Sequence, residues 1–160
     1  MGTGKTAVGK ELAAKSKWRF IDLDELIEFQ AKRTISDIFA KNGEPYFRRL
    51  EKKALKEISK EKKFVVACGG GIVLDSDNIK LMKETGKLIC LSATAEVILK
   101  RTSGFCHRPL LNVSDPRSRI DLLLKLRAPY YAKSDHVVDT TKLSIKEVVN
   151  KISKLAKFKE

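Results

Sequence analysis

Apolar residues along this chain follow two spacings, one typical of helices and one typical of buried strands. Behind Lys5, apolar positions recur every three or four residues, which predicts a helix directly after a glycine-rich stretch. Continuous apolar and β-branched runs predict strands buried in a parallel sheet. The predicted strands are WRFIDLD, FVVAC, KLICLSA and HVVD.

Helical patterns separate these strands. The spacing predicts one helix over 24–32, a second from a Thr34 cap to a stop at Gly43, and further helices over about 45–60, 77–85, 94–102 and 117–133. The apolar face of a last helix consists of Ile145, Val148, Val149, Ile152 and Leu155. Strands alternating with helices predict an α/β fold, a doubly wound parallel sheet with helices on both faces. The stretch SGFCHRPLLNVSDP has no periodicity and predicts a mobile loop over about 103–116.

The first motif, Gly-Thr-Gly-Lys-Thr, matches only the second half of a phosphate-binding loop. The first glycine of that pattern would lie upstream of Met1, as would the strand that leads into such a loop. We therefore expect the sheet to lack its central strand and Met1 to be an internal position of a longer chain. Because a buried strand contributes around 10 kcal/mol, the chain as given is expected to fold poorly or bind ATP weakly.

Composition fits one compact domain spanning residues 1–160, of which 42% are hydrophobic. The net charge of +13 favours anionic partners such as nucleic acid, a membrane surface or phosphorylated small molecules, although most lysines fit solvated helix faces. The odd number of cysteines, three, two of them in apolar runs, predicts reduced thiols and a cytoplasmic protein. No apolar stretch approaches bilayer length, and no signal peptide is recognisable.

Gly4, Lys5 and Thr6 carry the chemistry of a phosphate site. Backbone N–H groups at a helix N-terminus bind phosphate oxygens, lysine reaches the outer phosphates, and a threonine hydroxyl ligates Mg²⁺. The alternative is that this triplet merely caps a helix.

Asp22 and Asp24 end a predicted strand, and strand alternation would aim both carboxylates to the same side of the sheet edge. Such a pair can hold a hydrated metal and accept a proton from a hydroxyl. The alternative is that Asp24 only caps the next helix.

Four arginines are distinctive in a lysine-rich chain: Arg48, Arg101, Arg108 and Arg127. A guanidinium suits a carboxylate or phosphate better than an ammonium does, although each arginine alone could form a surface ion pair. Arg108 lies in the aperiodic loop, where closure would bring it onto a transferring phosphoryl group. Three consecutive glycines at 69–71 indicate backbone that a ligand approaches closely.

Six motifs in this order and spacing resemble shikimate kinase throughout the chain. They are GTGKTAVGKELA, FIDLDELIE, IFAKNGEPYFRRLE, ACGGGIVL, RTSGFCHRPLL and KLRAPYYAKSDHVVDT. The resemblance implies a phosphate-loop kinase with the nucleoside-monophosphate-kinase fold, ATP and Mg²⁺ as co-substrate and metal, and phosphorylation of the 3-hydroxyl of shikimate. It implies a cytoplasmic protein in aromatic amino-acid synthesis, and we expect a monomer without nucleic-acid or membrane partners.

Residue roles follow from the same resemblance. ATP would be bound by Gly2, Thr3, Gly4, Lys5, Thr6, Ala7, Arg101 and Arg108, with Arg101 stacked on adenine. Mg²⁺ would be held by Thr6 and, in its outer shell, Asp22. Shikimate would be bound by Asp24, Arg48, Gly70, Gly71 and Arg127 and enclosed by Phe39 and Phe47. Lys5, Asp24 and Arg108 would be the catalytic residues, and Glu51, three residues after Arg48, would hold that arginine in place.

Three alternatives remain at this level. Another small-metabolite kinase of the same fold, such as a gluconate kinase, would have no use for an Arg48–Arg127 carboxylate clamp. An inactive nucleotide-binding or anion-binding relic would keep the fold without the activity. A nucleic-acid-binding protein would account for the charge, but no stacking or recognition motif is visible. His107 beside Cys106 is too small a ligand set for a metal, and His107 and His136 are given no role.

Overall fold

The structure is a computed structural model that describes residues 2–102 and 113–156. Its helices are α1 Lys5–Ser16, α2 Leu23–Ala31, α3 Ile35–Ile58, α4 Ser76–Thr85, α5 Ala95–Thr102, α6 Pro116–Tyr131 and α7 Ile145–Ala156. Its strands are β1 Arg19–Asp22, β2 Phe64–Ala67, β3 Ile89–Ser92 and β4 His136–Asp139. Cys106, His107 and Arg108 lie outside the described residues, as does most of the predicted loop.

The strands form two parallel pairs, β1 with β2 and β3 with β4. Within the described chain, β2 and β3 are not hydrogen-bonded to each other, so the sheet is interrupted between them. Val65 of β2 and Leu91 of β3 nevertheless pack against one apolar cluster, which α1 and α7 build beneath both pairs. The α/β class and the parallel strands are thus confirmed, whereas a central strand in a longer chain stays a prediction.

Short polar side chains begin several helices. Asp22 caps α2, Thr34 caps α3, Asp75 caps α4 and Asp115 caps α6, each by accepting a hydrogen bond from a backbone N–H of the first turn. The Thr34 cap was predicted, and Gly43 interrupts α3 with φ 77°, where a stop was expected. The helical residues on both sides of Gly43 form one kinked element.

Two core clusters position the candidate site residues. The larger one packs α2, α3 and α4 together, with Leu23, Ile27 and Ile38 almost completely buried. The predicted last helix is confirmed, but Ile145 and Leu155 at its ends are exposed, because only the middle of its apolar face meets α1.

Candidate active site

The glycine-rich stretch leads into α1 in the geometry of an anion site. Gly2 and Gly4 have positive φ values of 59° and 91°, which glycine adopts without strain. Lys5 is the first residue of α1, and no acidic residue lies in its first turn. In the part of the chain that the structure describes, no side chain caps this helix start, so its backbone N–H groups suit an anion.

Thr6 and Asp22 are brought together at the end of β1. The Thr6 hydroxyl donates to Asp22 Oδ2 at 2.8 Å, and Asp22 Oδ1 accepts from the Asp24 N–H at 3.1 Å. A hydroxyl and a carboxylate are hard oxygen ligands that fit Mg²⁺, which commonly takes few protein ligands and completes its shell with phosphates and water. Accordingly, no cluster of three or more His, Cys, Asp or Glu side chains suited to a metal occurs among the described residues.

The prediction that strand alternation aims the Asp22 and Asp24 carboxylates to the same side was wrong. β1 ends at Asp22, and Asp24 already lies in the first turn of α2. Asp22, not Asp24, caps that helix. The two carboxylates therefore separate, one toward Thr6 and the other toward the glycines at 69–71.

Asp24 is a largely buried carboxylate with an unused acceptor. Among the described residues its Oδ1 has no hydrogen-bond partner, and it lies 3.3 Å from where a Cβ on Gly69 would be. Burial and the neighbouring Asp22 raise the pKa of Asp24, while Lys5 and Arg48 partly offset that rise. A buried oxygen without a partner is available to a substrate hydroxyl.

Arg48 lies between two glutamates of α3. Its Nη1 donates to Glu51 at 2.7 Å, and its Nη2 and Nε donate to Glu44 at 2.7 and 3.2 Å. Burial opposes charge on Arg48, but Glu51 and Glu44 outweigh it and raise its pKa. The guanidinium contacts the Gly71 backbone so closely that a Cβ there would lie 2.6 Å from Arg48 Cζ.

Glu51 connects the two predicted clamp arginines. Its side chain is fully buried, and burial raises its pKa to about 7 although Arg48 and, more weakly, Arg127 favour the charged form. Glu51 Oε1 has no hydrogen-bond partner within residues 2–102 and 113–156, and it lies 3.1 Å from where a Cβ on Gly69 would be. Arg127, on α6, is only 5% exposed. Arg48, Arg127 and Asp24 thus all lie within electrostatic range of Glu51, beside the three glycines, and the region between them is called the crevice below.

Phe39 and Phe47 pack against each other on α3, and their predicted role in enclosing shikimate stays a prediction. The rings of Phe39 and Phe47 are 5.0 Å apart and tilted by 45°, and Arg48 lies 5.2 Å from the centre of the Phe47 ring. Phe47 is buried, so one face of the crevice beside Arg48 is apolar.

Arg101 is held on the other side of the phosphate loop. It donates to the carbonyl and hydroxyl oxygens of Thr140 at 3.0 and 3.1 Å. The Thr140 hydroxyl is 3.2 Å from the Thr3 carbonyl and 3.0 Å from that of Ser92. Arg101 is therefore tied to the start of the loop through Thr140, and its predicted stacking on adenine stays a prediction.

Sequence reasoning missed three residues of this region. Glu44 lies four residues before Arg48, and that helical spacing could have indicated the pair. Thr140 and Tyr131 contact the site from far along the chain, with hydrogen bonds to Thr3 and Gly70, and no local pattern marks them.

Three comparisons bear on this arrangement. The sequence model of the shikimate kinase family matches residues 1–157. Shikimate kinases of Thermoanaerobacter pseudethanolicus and Thermodesulfovibrio yellowstonii are 45% and 46% identical over 154 residues, covering 96% of this chain and 90% and 89% of theirs.

Solved structures agree with the sequence relatives. The shikimate kinase of Acinetobacter baumannii, solved in complex with shikimate, has 36% identity and a TM-score of 0.93 over 97% of this chain and 87% of that one. The shikimate kinase of Aquifex aeolicus has 32% identity and a TM-score of 0.85 over 98% and 92%.

Proposed function

The chain belongs to the shikimate kinase family, and we propose that the residues around Asp24 carry out ATP-dependent phosphorylation of the 3-hydroxyl of shikimate. The convergence of Arg48 and Arg127 on Glu51, next to the unpaired oxygen of Asp24, carries this proposal. A hydroxylated acid needs both a carboxylate clamp and a hydroxyl acceptor, and this crevice has both.

Shikimate binding is assigned to the crevice between α3, α6 and the glycines. Arg48 and Arg127 bind the carboxylate, the backbone of Gly70 and Gly71 lines the floor, and Phe39 and Phe47 pack against the ring. Support comes from the close approach of Arg48 to Gly71, which a side chain at position 71 would prevent, so the guanidinium and the glycine backbone lie side by side.

ATP binding is assigned to the loop Gly2–Thr6, Ala7 and Arg101. The N–H groups at the start of α1 bind phosphate oxygens and Lys5 neutralises their charge. Thr6 and Asp22 would hold Mg²⁺, which would supply positive charge against the phosphates when bound. Arg108 would add a further positive group, and its part stays a prediction because it lies outside the described residues.

Asp24 is assigned to bind the 3-hydroxyl of shikimate. Its carboxylate orients the attacking oxygen and accepts the proton that this oxygen loses when it bonds to the γ-phosphorus of ATP, while the bond from that phosphorus to the β-phosphate oxygen breaks and ADP leaves. Lys5 is near enough to lower the pKa of Asp24, so the phosphate-binding and hydroxyl-binding groups act in one space. Catalysis then consists mainly of positioning and charge neutralisation.

The direct test is ADP release with shikimate, with gluconate as the alternative acceptor. We expect turnover with shikimate, and an Arg48→Ala variant with a strongly raised KM for shikimate and an unchanged KM for ATP. An unchanged KM for shikimate in that variant would favour a gluconate-kinase-like activity. The described residues include no helix long and apolar enough to cross a bilayer. Cytoplasmic location, a single domain and a monomeric state stay predictions.

A further inference from the structure

The three glycines are enclosed by α3 on one side. Arg48 contacts Gly71, and both Glu51 and Asp24 approach Gly69, so no side chain separates this backbone from the charged groups. The position of the glycines at 69–71 therefore determines where their backbone can contact a ligand that Arg48 binds.

Two of the loop's carbonyl groups are used in the turn that follows. Gly69 C=O accepts from the Ile72 N–H at 3.2 Å, and Gly71 C=O accepts from the Leu74 N–H at 3.0 Å. The carbonyl of Gly70 faces α6 instead, where the Tyr131 hydroxyl donates to it at 2.8 Å. This hydrogen bond joins parts of the chain that are 61 residues apart.

Arg127 lies four residues before Tyr131 on the same face of α6, which places its guanidinium beside the phenol. Burial raises the pKa of Tyr131, and a hydrogen bond and the positive charge of Arg127 partly offset that rise. A phenol has one proton to donate and lone pairs that accept. Tyr131 can therefore accept from Arg127 while it donates to Gly70, and each bond strengthens the other.

We propose that Tyr131 is a positioning residue for shikimate, whose hydroxyl holds Arg127 in register with the glycine backbone. Arg127 then presents its guanidinium to the substrate carboxylate at the same time as Arg48, which contacts the other end of the loop. This inference rests on the proposed function, because it concerns how the same crevice recognises the carboxylate.

The first test is Tyr131→Phe, which removes one hydroxyl and keeps the ring. We expect the KM for shikimate to rise about tenfold, because a buried carbonyl and a charged donor lose their shared partner. We expect kcat within about twofold of the parent and an unchanged KM for ATP, since the changed group touches neither the phosphates nor Asp24.

The matched control is Tyr130→Phe. Tyr130 lies beside Tyr131 and its ring stacks under Lys133 at 5.5 Å, a contact that phenylalanine keeps. This control should match the parent in all three constants. A KM for shikimate that rises equally in both variants, or that stays constant in Tyr131→Phe, overturns the inference.

A double-mutant cycle separates positioning from general packing. In an Arg127→Lys background the fork that Tyr131 holds is gone, so Tyr131→Phe should raise the KM for shikimate by less than about twofold. Effects that multiply instead would mean that Tyr131 does not act through Arg127, and they contradict the proposal. A parent chain that turns over no shikimate overturns the proposed function, whereas normal parent activity with an unaffected Tyr131→Phe overturns only this inference.

Discussion

Arg48 Nη1 lies 2.7 Å from Glu51 Oε2, and none of the Glu51 side chain is exposed, whereas 24% of the Arg48 side chain is. The buried Glu51 carboxylate therefore fixes the position of the partly exposed Arg48 guanidinium. Removing Arg48 would leave the buried Glu51 carboxyl without this partner, which costs more than a surface pair is worth, whereas Arg48 without Glu51 would keep its bonds to Glu44.

Glu51 makes stability depend on pH. Its pKa rises from 4.5 in the unfolded chain to about 7 in the fold, so the folded protein binds more protons between these values. The contribution is fully present below pH 4.5 and is lost as pH rises through 7, about 3 kcal/mol in total. Urea unfolding of the parent and Glu51→Gln at pH 5 and pH 7.5 measures it.

Glutamine resembles the neutral acid, so the parent should lose its stability relative to Glu51→Gln as pH rises, and groups common to both proteins cancel. A difference between the two proteins that does not change with pH would contradict the raised pKa of Glu51.

Gly71→Ala should disable the carboxylate clamp. The new Cβ would overlap the Arg48 guanidinium, with 2.6 Å to Cζ, so the arginine must move away from the crevice. We expect the KM for shikimate to rise roughly tenfold or more. Gly86→Ala is the control, because its Cβ would meet nothing closer than the Met82 carbonyl at 3.7 Å. Equal kinetic constants in both variants would argue against the clamp.

Thr6→Val should weaken the use of magnesium. It removes the hydroxyl that pairs with Asp22 at 2.8 Å and keeps the side chain's shape. The Mg²⁺ concentration for half-maximal activity should rise about 10- to 100-fold, while Thr6→Ser retains the parent's value. If titration with Mg²⁺ gives one curve for all three proteins, Thr6 is not a ligand.

Thr140→Val should raise the KM for ATP and leave the KM for shikimate unchanged. Thr140 is 2% exposed, and its hydroxyl joins Arg101 to the carbonyl of Thr3 or Ser92. Losing it leaves buried groups unpaired, at a cost of about 1–3 kcal/mol in unfolding free energy. We expect a several-fold higher KM for ATP.

Thermal melts and steady-state kinetics report these two effects of Thr140→Val. Thr85→Val on the exposed surface of α4 is the comparison variant, because its hydroxyl only donates back to Leu81 of its own helix. A raised KM for shikimate in Thr140→Val would place this residue elsewhere in the mechanism.

The sequence predicted those parts of the site that depend on local spacing. Arg48 and Glu51 are one helical turn apart, and Thr6 follows the glycines at a fixed distance, so a pattern within a few residues was sufficient. The predicted extent of the first strand was wrong. Asp22 ends β1 by capping α2, and a hydrophobic pattern does not show where the cap of a following helix ends a strand.

Contacts between distant segments could not be predicted in this way. Tyr131 reaches Gly70 across 61 residues, and Thr140 reaches Thr3 across 137. Both depend on how α6 and the end of β4 pack against the glycine loops, and packing of this kind leaves no periodic signal in one sequence. Glu44 is a local partner of Arg48 that the helical spacing could have predicted, but the sequence analysis considered only Glu51.

The outer strands of the two pairs bear on how the protein behaves when concentrated. Among the described residues β1 and β4 each pair with one neighbouring strand, and unpaired backbone on the other side is a template for another molecule's strand. Mutual repulsion from a charge of +13 opposes such encounters, and added electrolyte screens it within about 10 Å at 0.1 M. Solubility should therefore decline as ionic strength increases, so dilute, low-salt buffers are the appropriate storage conditions.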